Sequence, residues 1–307
     1  VTPSSATIHT FAVRQPERQR KAALMTTNLQ KPTPLDPAST RLAWDTIAAG
    51  YARHVTPTHS SLANEALDHI DLRPEMRFLD VAAGSGALAL AAASRGAEVL
   101  GTDISPAMIE HLKHTAQRSG LANLSGQVMD GHNLDLEDDA VDAAGSMFGV
   151  MLFPDLPRGL RELARVTKPG GPVLMVTFGP PSRIEFLGFF LSAVKRVIPG
   201  FTGFPTDSPP LPFQVSDPAR LHQAMHDAGL TAVEVETTTE TQEFDSSAEL
   251  WNWIANSNPI GARLTGDLPP DQAASVREVL DGMLRERSGG KGAARLTHPI
   301  NIAVGTA

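Results

Sequence analysis

Between Arg77 and Phe178, short apolar runs alternate with longer stretches of helical period, joined by brief connections rich in Gly, Pro, Asp and Ser. That rhythm predicts a parallel sheet with helices on both faces, because a strand covered on both sides has no polar face to show. Strands are expected at Arg77–Val81, Ala97–Thr102, Leu124–Met129, Ala140–Ser146 and Val173–Phe178. Helices are expected at Ala87–Arg95, from Pro106 to Gly120 behind a Ser105 cap, and at Leu156–Val166. Further upstream, Leu42, Trp44, Ile47, Ala48, Tyr51 and Val55 share one helical face behind an Asp36 cap, and a second helix runs from about Ser60 to Ile70.

After Phe178 the pattern loosens. Gly179-Pro180-Pro181 opens an irregular segment that runs to about Val215 and is rich in Phe, Pro and Gly. A helix is expected at Asp217–Ala228 and a sixth strand at Thr231–Thr241. Ser246 and Glu249 form a capping box ahead of Leu250-Trp251-Asn252-Trp253-Ile254. A helix at Asp271–Arg287 and a seventh strand at Ile300–Gly305 complete the pattern.

Composition narrows the chemistry. The 307 residues carry a net charge of -8, which argues against a nucleic-acid binder that relies on phosphate attraction. The absence of cysteine removes disulfides, thiolate metal sites and cysteine nucleophiles, and suits a cytoplasmic protein. No apolar run is long enough to span a bilayer. Val1 to Lys31 lacks the apolar stretch of a secretory signal and reads as part of a disordered leader over 1–35, with Met25 offering an alternative start.

The densest chemical signal is Phe78-Leu79-Asp80-Val81-Ala82-Ala83-Gly84-Ser85-Gly86-Ala87-Leu88-Ala89. A buried strand enters a turn of small residues and then a helix, so a ligand can approach backbone amides at the helix start. Seventeen positions beyond Gly86, Asp103 ends the second strand, where a carboxylate can accept both hydroxyls of a ribose. The pair points to an adenosine-containing cofactor. A dinucleotide fingerprint would place a third glycine where Ala89 stands, and Asp80 adds negative charge where a pyrophosphate would sit. The first makes the dinucleotide pattern imperfect, and the second favours a cationic ligand.

Over roughly Trp44 to Phe178 the sequence resembles the class I S-adenosylmethionine-dependent methyltransferases, and within them the group that includes the ubiquinone/menaquinone C-methyltransferases. Asp80 to Gly86 resembles the D-x-G-x-G-x-G motif, with Ala82 in place of its first glycine. Asp103-Ile104-Ser105, Met129-Asp130-Gly131-His132, Asp142 to Gly149 and Arg165 to Gly171 resemble the later motifs in their order. The resemblance implies a Rossmann-like seven-stranded, mostly parallel sheet with N-terminal cap helices and an inserted lid. It implies S-adenosylmethionine as cofactor, held by Tyr51, Asp80, Ala82, Ala83, Gly84, Gly86, Asp103, Ile104, Met108, Asp130, Gly131, His132, Met147 and Phe148. The implied division is a cofactor-binding core over 36–179, a lid or substrate region over 180–299 interleaved with the sixth strand, and a final strand over 300–307.

The expected partner is a small-molecule acceptor methylated at O, N or C. Glu185 to Leu191 could line an apolar acceptor cavity or form a core-facing or dimer-forming helix. Phe186, Phe190, Phe213 and Trp251 are the substrate-binding candidates, with Phe201, Phe204 and Trp253 beside them. A base is needed only if the acceptor must lose a proton, and His54 and His59, just after the cap helix, are the candidates. His222 and His226 have metal spacing on a helix but no third ligand, so no metal site is expected. A nicotinamide-dependent oxidoreductase and a non-catalytic binding module remain open alternatives, since a fold does not fix a function.

Overall fold

The computed structural model describes residues 36–203 and 210–307, so the expected leader and Phe204 lie outside the described residues. Seven strands form one sheet in the order β3-β2-β1-β4-β5-β7-β6. They are β1 (Arg77–Val81), β2 (Glu98–Asp103), β3 (Leu124–Val128), β4 (Ala143–Met147), β5 (Pro172–Phe178), β6 (Thr231–Phe244) and β7 (Ala294–Thr306). The first five run parallel, while β7 lies antiparallel between β5 and β6. The strand order reverses between β1 and β4, and in open sheets of this kind ligands bind beyond the carboxyl ends of the strands at such a reversal.

Local chemistry explains the helix starts. In α1 (Pro37–His54), Asp36 accepts from the amides of Ala38 and Ser39. The short α2 (Ser60–Leu67) and α3 (Ala87–Ser94) follow. Ser105 caps α4 (Pro106–Arg118) through the Met108 amide, and Asp155 caps α5 (Leu156–Val166) through Arg158. The main core packs the helices against the sheet around Phe78, Leu79, Leu112, Leu160 and Leu163, all fully buried.

The face of α1 is narrower than its period suggests. Ile47 and Ala48 are buried, but Leu42 is 67% exposed, because only the second half of the helix packs against α4. A larger correction concerns the segment after Phe178. Its Pro- and Gly-rich opening is followed by a regular helix, α6 (Glu185–Val197), which runs well beyond the Glu185 to Leu191 stretch where a helix is one of two expected readings. α7 (Pro218–Asp227), α8 (Ser247–Ser257), a further short helix α9 (Pro259–Gly266) and α10 (Pro270–Arg287) complete the chain's helices among the described residues. α6, α8, α9 and α10 enclose a second apolar core around Phe190, Leu250, Val276 and Leu280, distinct from that under the sheet.

Candidate active site

The loop after β1 is built on conformations that L-residues resist. Ala82, Gly84 and Gly86 all have positive φ, at 55°, 55° and 98°. The missing first glycine of the motif is therefore a real departure, and holding Ala82 there costs about 1–2 kcal/mol. Asp103 ties this loop to the next one: its two carboxylate oxygens accept from Gly84 N and Ser105 N, each at 2.9 Å. Asp45 of α1 completes the junction by accepting from Ser105 Oγ at 2.6 Å and Ala107 N at 3.2 Å. The cap helix is thus fastened to the strand end beside Asp103.

A cavity opens over these loops, with about 820 Å³ of non-atom space that includes open solvent. Tyr51, Ala82, Gly84, Asp103, Ile104, Asp130, Gly131, His132, Met147 and Phe148 line it, ten of the fourteen residues expected around the cofactor. Ala83, Gly86, Asp80 and Met108 stand behind the wall. Met108 is buried against Ile47 and Ala48, where it anchors α1. Asp80 is buried, and its Oδ2 accepts from Ala89 N at 3.0 Å. Its Oδ1 has no hydrogen-bond partner. Burial pushes the Asp80 carboxyl well above the usual carboxylate range.

Phe153 and Leu152 are wall residues that lie outside the sequence motifs. Phe153 stacks on His132 with ring centroids 4.4 Å apart, and His132 Nδ1 meets Asp130 Oδ1 at 2.8 Å. Phe153 sits in an apolar run next to a proline just after the fourth strand, which was a readable hint. Trp44 and Leu152 also line the cavity.

A second cavity of about 850 Å³, again partly open solvent, adjoins the first. Trp44, Tyr51, Phe148 and Leu152 line both, so these four form the shared wall. The second is lined largely by apolar and aromatic side chains, including Phe186, Phe190 and Phe213. Trp251 lines neither cavity. It packs against Phe190 and lies under Arg277, while Trp253, two positions along α8, supplies the wall.

Five rings close on themselves around this chamber. From His59 to Phe148 the centroids are 4.9 Å apart, from Phe148 to Phe178 4.6 Å, and from Phe178 to Phe186 6.1 Å. Phe186 to Trp253 is 4.7 Å, and Trp253 to His59 is 6.5 Å. Phe148 adopts φ 59°, a genuine outlier for a bulky residue. Its neighbours in the collar hold it there.

The two histidine candidates separate clearly. His54 ends α1 half-buried and lines neither cavity. His59 is buried in a 3-10 turn, Thr56–His59, and its Nδ1 has no partner. That turn is fixed to the glycine loop by a hydrogen bond between the hydroxyls of Thr56 and Ser85. Burial pushes the His59 imidazole down to about 4; Glu240 opposes the shift and His298 adds to it.

Burial pushes Asp103 the other way, up to about 6, against the hydrogen bonds from Ser105 and Gly84. The native protein then binds a proton that the unfolded chain has released, so this contribution to stability is present below pH 4 and lost as pH rises through 6. His59 titrates oppositely in an overlapping window, so the diagnostic quantity is a difference. Relative to wild type, Asp103→Ala should gain about 2–3 kcal/mol of stability between pH 4 and pH 7. Denaturant melts of both proteins at several pH values check this.

Comparison with known proteins agrees with the topology. A family model described as a methyltransferase domain matches residues 78–171. A demethylmenaquinone methyltransferase from Deinococcus radiodurans is 33% identical over 178 residues, covering 54% of this chain and 71% of that protein. An uncharacterized protein of Mycobacterium bovis is 35% identical over 137 residues, or 45% of this chain and 47% of its own. The chain thus spans about half the length of the first curated relatives it matches. Among solved structures, the YcgJ protein from Bacillus subtilis superposes with a TM-score of 0.51 at 21% identity, covering 81% of this chain and 97% of its own. The [4+2]-cyclase SpnF reaches 0.50 at 18% identity over 80% of this chain and 81% of its own, so the fold alone does not decide the reaction. With the ordered strand-end loops, the 3-2-1-4-5-7-6 sheet and the Deinococcus relative, the chain belongs to the class I S-adenosylmethionine-dependent methyltransferases.

Proposed function

We propose that this protein transfers a methyl group from S-adenosylmethionine to a small apolar acceptor. The observation that carries the reading is the meeting of two cavities, a polar-edged one over the strand ends and a ring-lined one beyond Phe148. The residues present fit the cofactor. Gly84 leaves room that a Cβ would take, 3.2 Å from Tyr51 Cε1, and Asp103 keeps acceptor capacity beyond its two backbone bonds. Asp103 would hold the ribose, Ile104, Asp130 and His132 the adenine side, and Tyr51, Gly84 and Met147 the methionyl side.

The cofactor supplies a methyl group on a positively charged sulfur. The chain's task is alignment and exclusion of water. Asp45 and Asp103 fix α1 to the strand ends, and the aromatic collar dries the acceptor side. Among the described residues no Asp, Glu, Lys or Arg lines the acceptor cavity, which favours an uncharged acceptor over an amino acid or a phosphate ester. A quinone-type ring, as the names of the relatives suggest, is compatible with those walls. α6 and α8 to α10 would act as the lid. A cytoplasmic protein without a nucleic-acid partner suits the acidic balance and the lack of cysteine. No helix among the described residues is long and apolar enough to cross a membrane.

Calorimetric titration with S-adenosylmethionine, S-adenosylhomocysteine and NADPH tests the reading. Saturable binding of the two adenosyl ligands is expected. Binding of NADPH in their place would overturn it.

A further inference from the structure

The fourth strand passes to α5 through a 3-10 turn, Val150–Leu152, and then Phe153. This stretch closes both cavities: Leu152 stands in their shared wall, and Phe153 stacks on His132 at the cofactor side. The Phe153 ring is wedged between two glycines. A Cβ on Gly131 would stand 2.6 Å from its Cζ, and one on Gly159 2.5 Å from its Cδ2. A ring seated with so little slack needs a fixed backbone. Ser146 Oγ accepts from Val150 N at 3.0 Å and so holds the start of the turn. Its end is held from a distant segment: Gln214 Nε2 donates to Met151 O at 2.6 Å and to Phe153 O at 3.0 Å.

Resting on the placement of the adenine beside Asp130 and His132, we propose that Gln214 is a positioning residue of the cofactor site, setting Phe153 and with it the adenine wall. Gln214 itself lines neither cavity, and it lies outside residues 78–171, the stretch that matches the methyltransferase domain. A side-chain amide carries two N–H donors, and here both go to carbonyls on either side of Leu152. Met151 is buried, so water does not readily replace the amide at its carbonyl. Without that grip the end of the turn is free to shift, and the Phe153 ring shifts with it.

The segment that carries Gln214 is itself anchored. Gln214 N donates to Leu211 O at 3.2 Å, closing a 3-10 turn over Leu211–Phe213. Two positions on, Ser216 O accepts from Asn301 Nδ2 of β7 at 3.0 Å, and Asn301 is fully buried. Asn301 Oδ1 in turn accepts from Thr237 Oγ1 of β6 at 2.8 Å. The last two strands therefore hold the segment, and the segment holds Phe153. Phe213, next to Gln214, lines the acceptor cavity. One short stretch thus supplies a wall to the acceptor side and a support to the cofactor side, and the affinity for cofactor depends on residues well beyond the motifs that bind it.

Calorimetric titration with S-adenosylhomocysteine of wild type, Gln214→Met, Phe153→Leu and the double variant tests this. Methionine keeps the reach of glutamine and removes both donors. Gln214→Met should bind about 10-fold more weakly, at unchanged one-to-one stoichiometry. Phe153→Leu should lose about the same factor. The double variant should lose less than about two-fold beyond Phe153→Leu alone, because both changes act on one wall. A merely structural role would multiply the two losses to about 100-fold, and that result overturns the assignment. Wild-type affinity in Gln214→Met overturns it equally. Should Gln214→Met not fold, Gln214→Asn, one methylene too short to reach both carbonyls, takes its place with the same expectations. Wild-type affinity in Phe153→Leu removes the adenine from this wall and the assignment with it. Failure of wild type to bind S-adenosylhomocysteine overturns the methyltransferase reading instead.

Discussion

Asp103→Ala should abolish S-adenosylmethionine binding at concentrations that saturate wild type, while the protein stays folded. The Asp103 carboxylate is buried at the cavity floor and already holds Gly84 N and Ser105 N. Its remaining lone pairs are the ones a ribose diol would use. Two charge-assisted hydrogen bonds at about 1.5–3 kcal/mol each correspond to roughly 10²–10⁴ in Kd. Removing the carboxylate also frees both loops, so alanine loses alignment as well as acceptors. Since burial raises Asp103 to about 6, wild-type affinity should itself fall as pH drops through that value, because a protonated carboxyl accepts less well. Isothermal titration at pH 5 and pH 7.5 measures both effects. Wild-type affinity in the variant would remove Asp103 from the cofactor site.

Gly84→Val should be nearly as damaging, by filling space. The residue has φ 55°, which a β-branched side chain resists, and its Cβ would stand 3.2 Å from the Tyr51 ring at the cavity wall. The two added methyl groups extend further into space the methionyl part needs. A loss of at least about 100-fold in cofactor affinity is expected, equivalent to about 3 kcal/mol. Gly170→Val separates strain from obstruction. Gly170 also has positive φ, at 83°, but nothing lies within 4 Å of its Cβ position. It should lose stability to a similar degree and bind the cofactor normally. Unimpaired binding by folded Gly84→Val would be inconsistent with this loop as the cofactor cradle.

What the sequence discloses depends on how local the determinant is. β1 and α5 are legible to the residue, because each has a complete local signal: an apolar run before a small-residue turn, and an Asp cap before a strongly amphipathic stretch. α6 is only half legible, a helix being one of two readings of Glu185 to Leu191, because its Phe-rich period follows two prolines and its ends lack a side-chain cap. β7 begins six residues earlier than its apolar run, since the ladder over Ala294 to Pro299 is made with the distant β6 alone and β5 joins only from Ile300. The insertion of β7 between β5 and β6 is a long-range fact that no local pattern encodes. In the site, glycine and carboxylate positions were readable because each has one physical reason. The choice of Trp253 over Trp251, and of His59 over His54, depends on how α8 and the Thr56–His59 turn face the chamber.

The shared wall has a consequence for how such a protein can diversify. Much of the acceptor chamber comes from α6, α8 and α9, while the cofactor cavity is built from α1 and the loops that follow β1 to β4. Substitutions in the helical part can reshape acceptor preference while leaving the cofactor's own contacts intact, so the two halves can drift at different rates. Trp44, Tyr51, Phe148 and Leu152 are where that independence ends. A change at any of them alters both halves at once, and selection for a new acceptor must there accept whatever the old cofactor still allows.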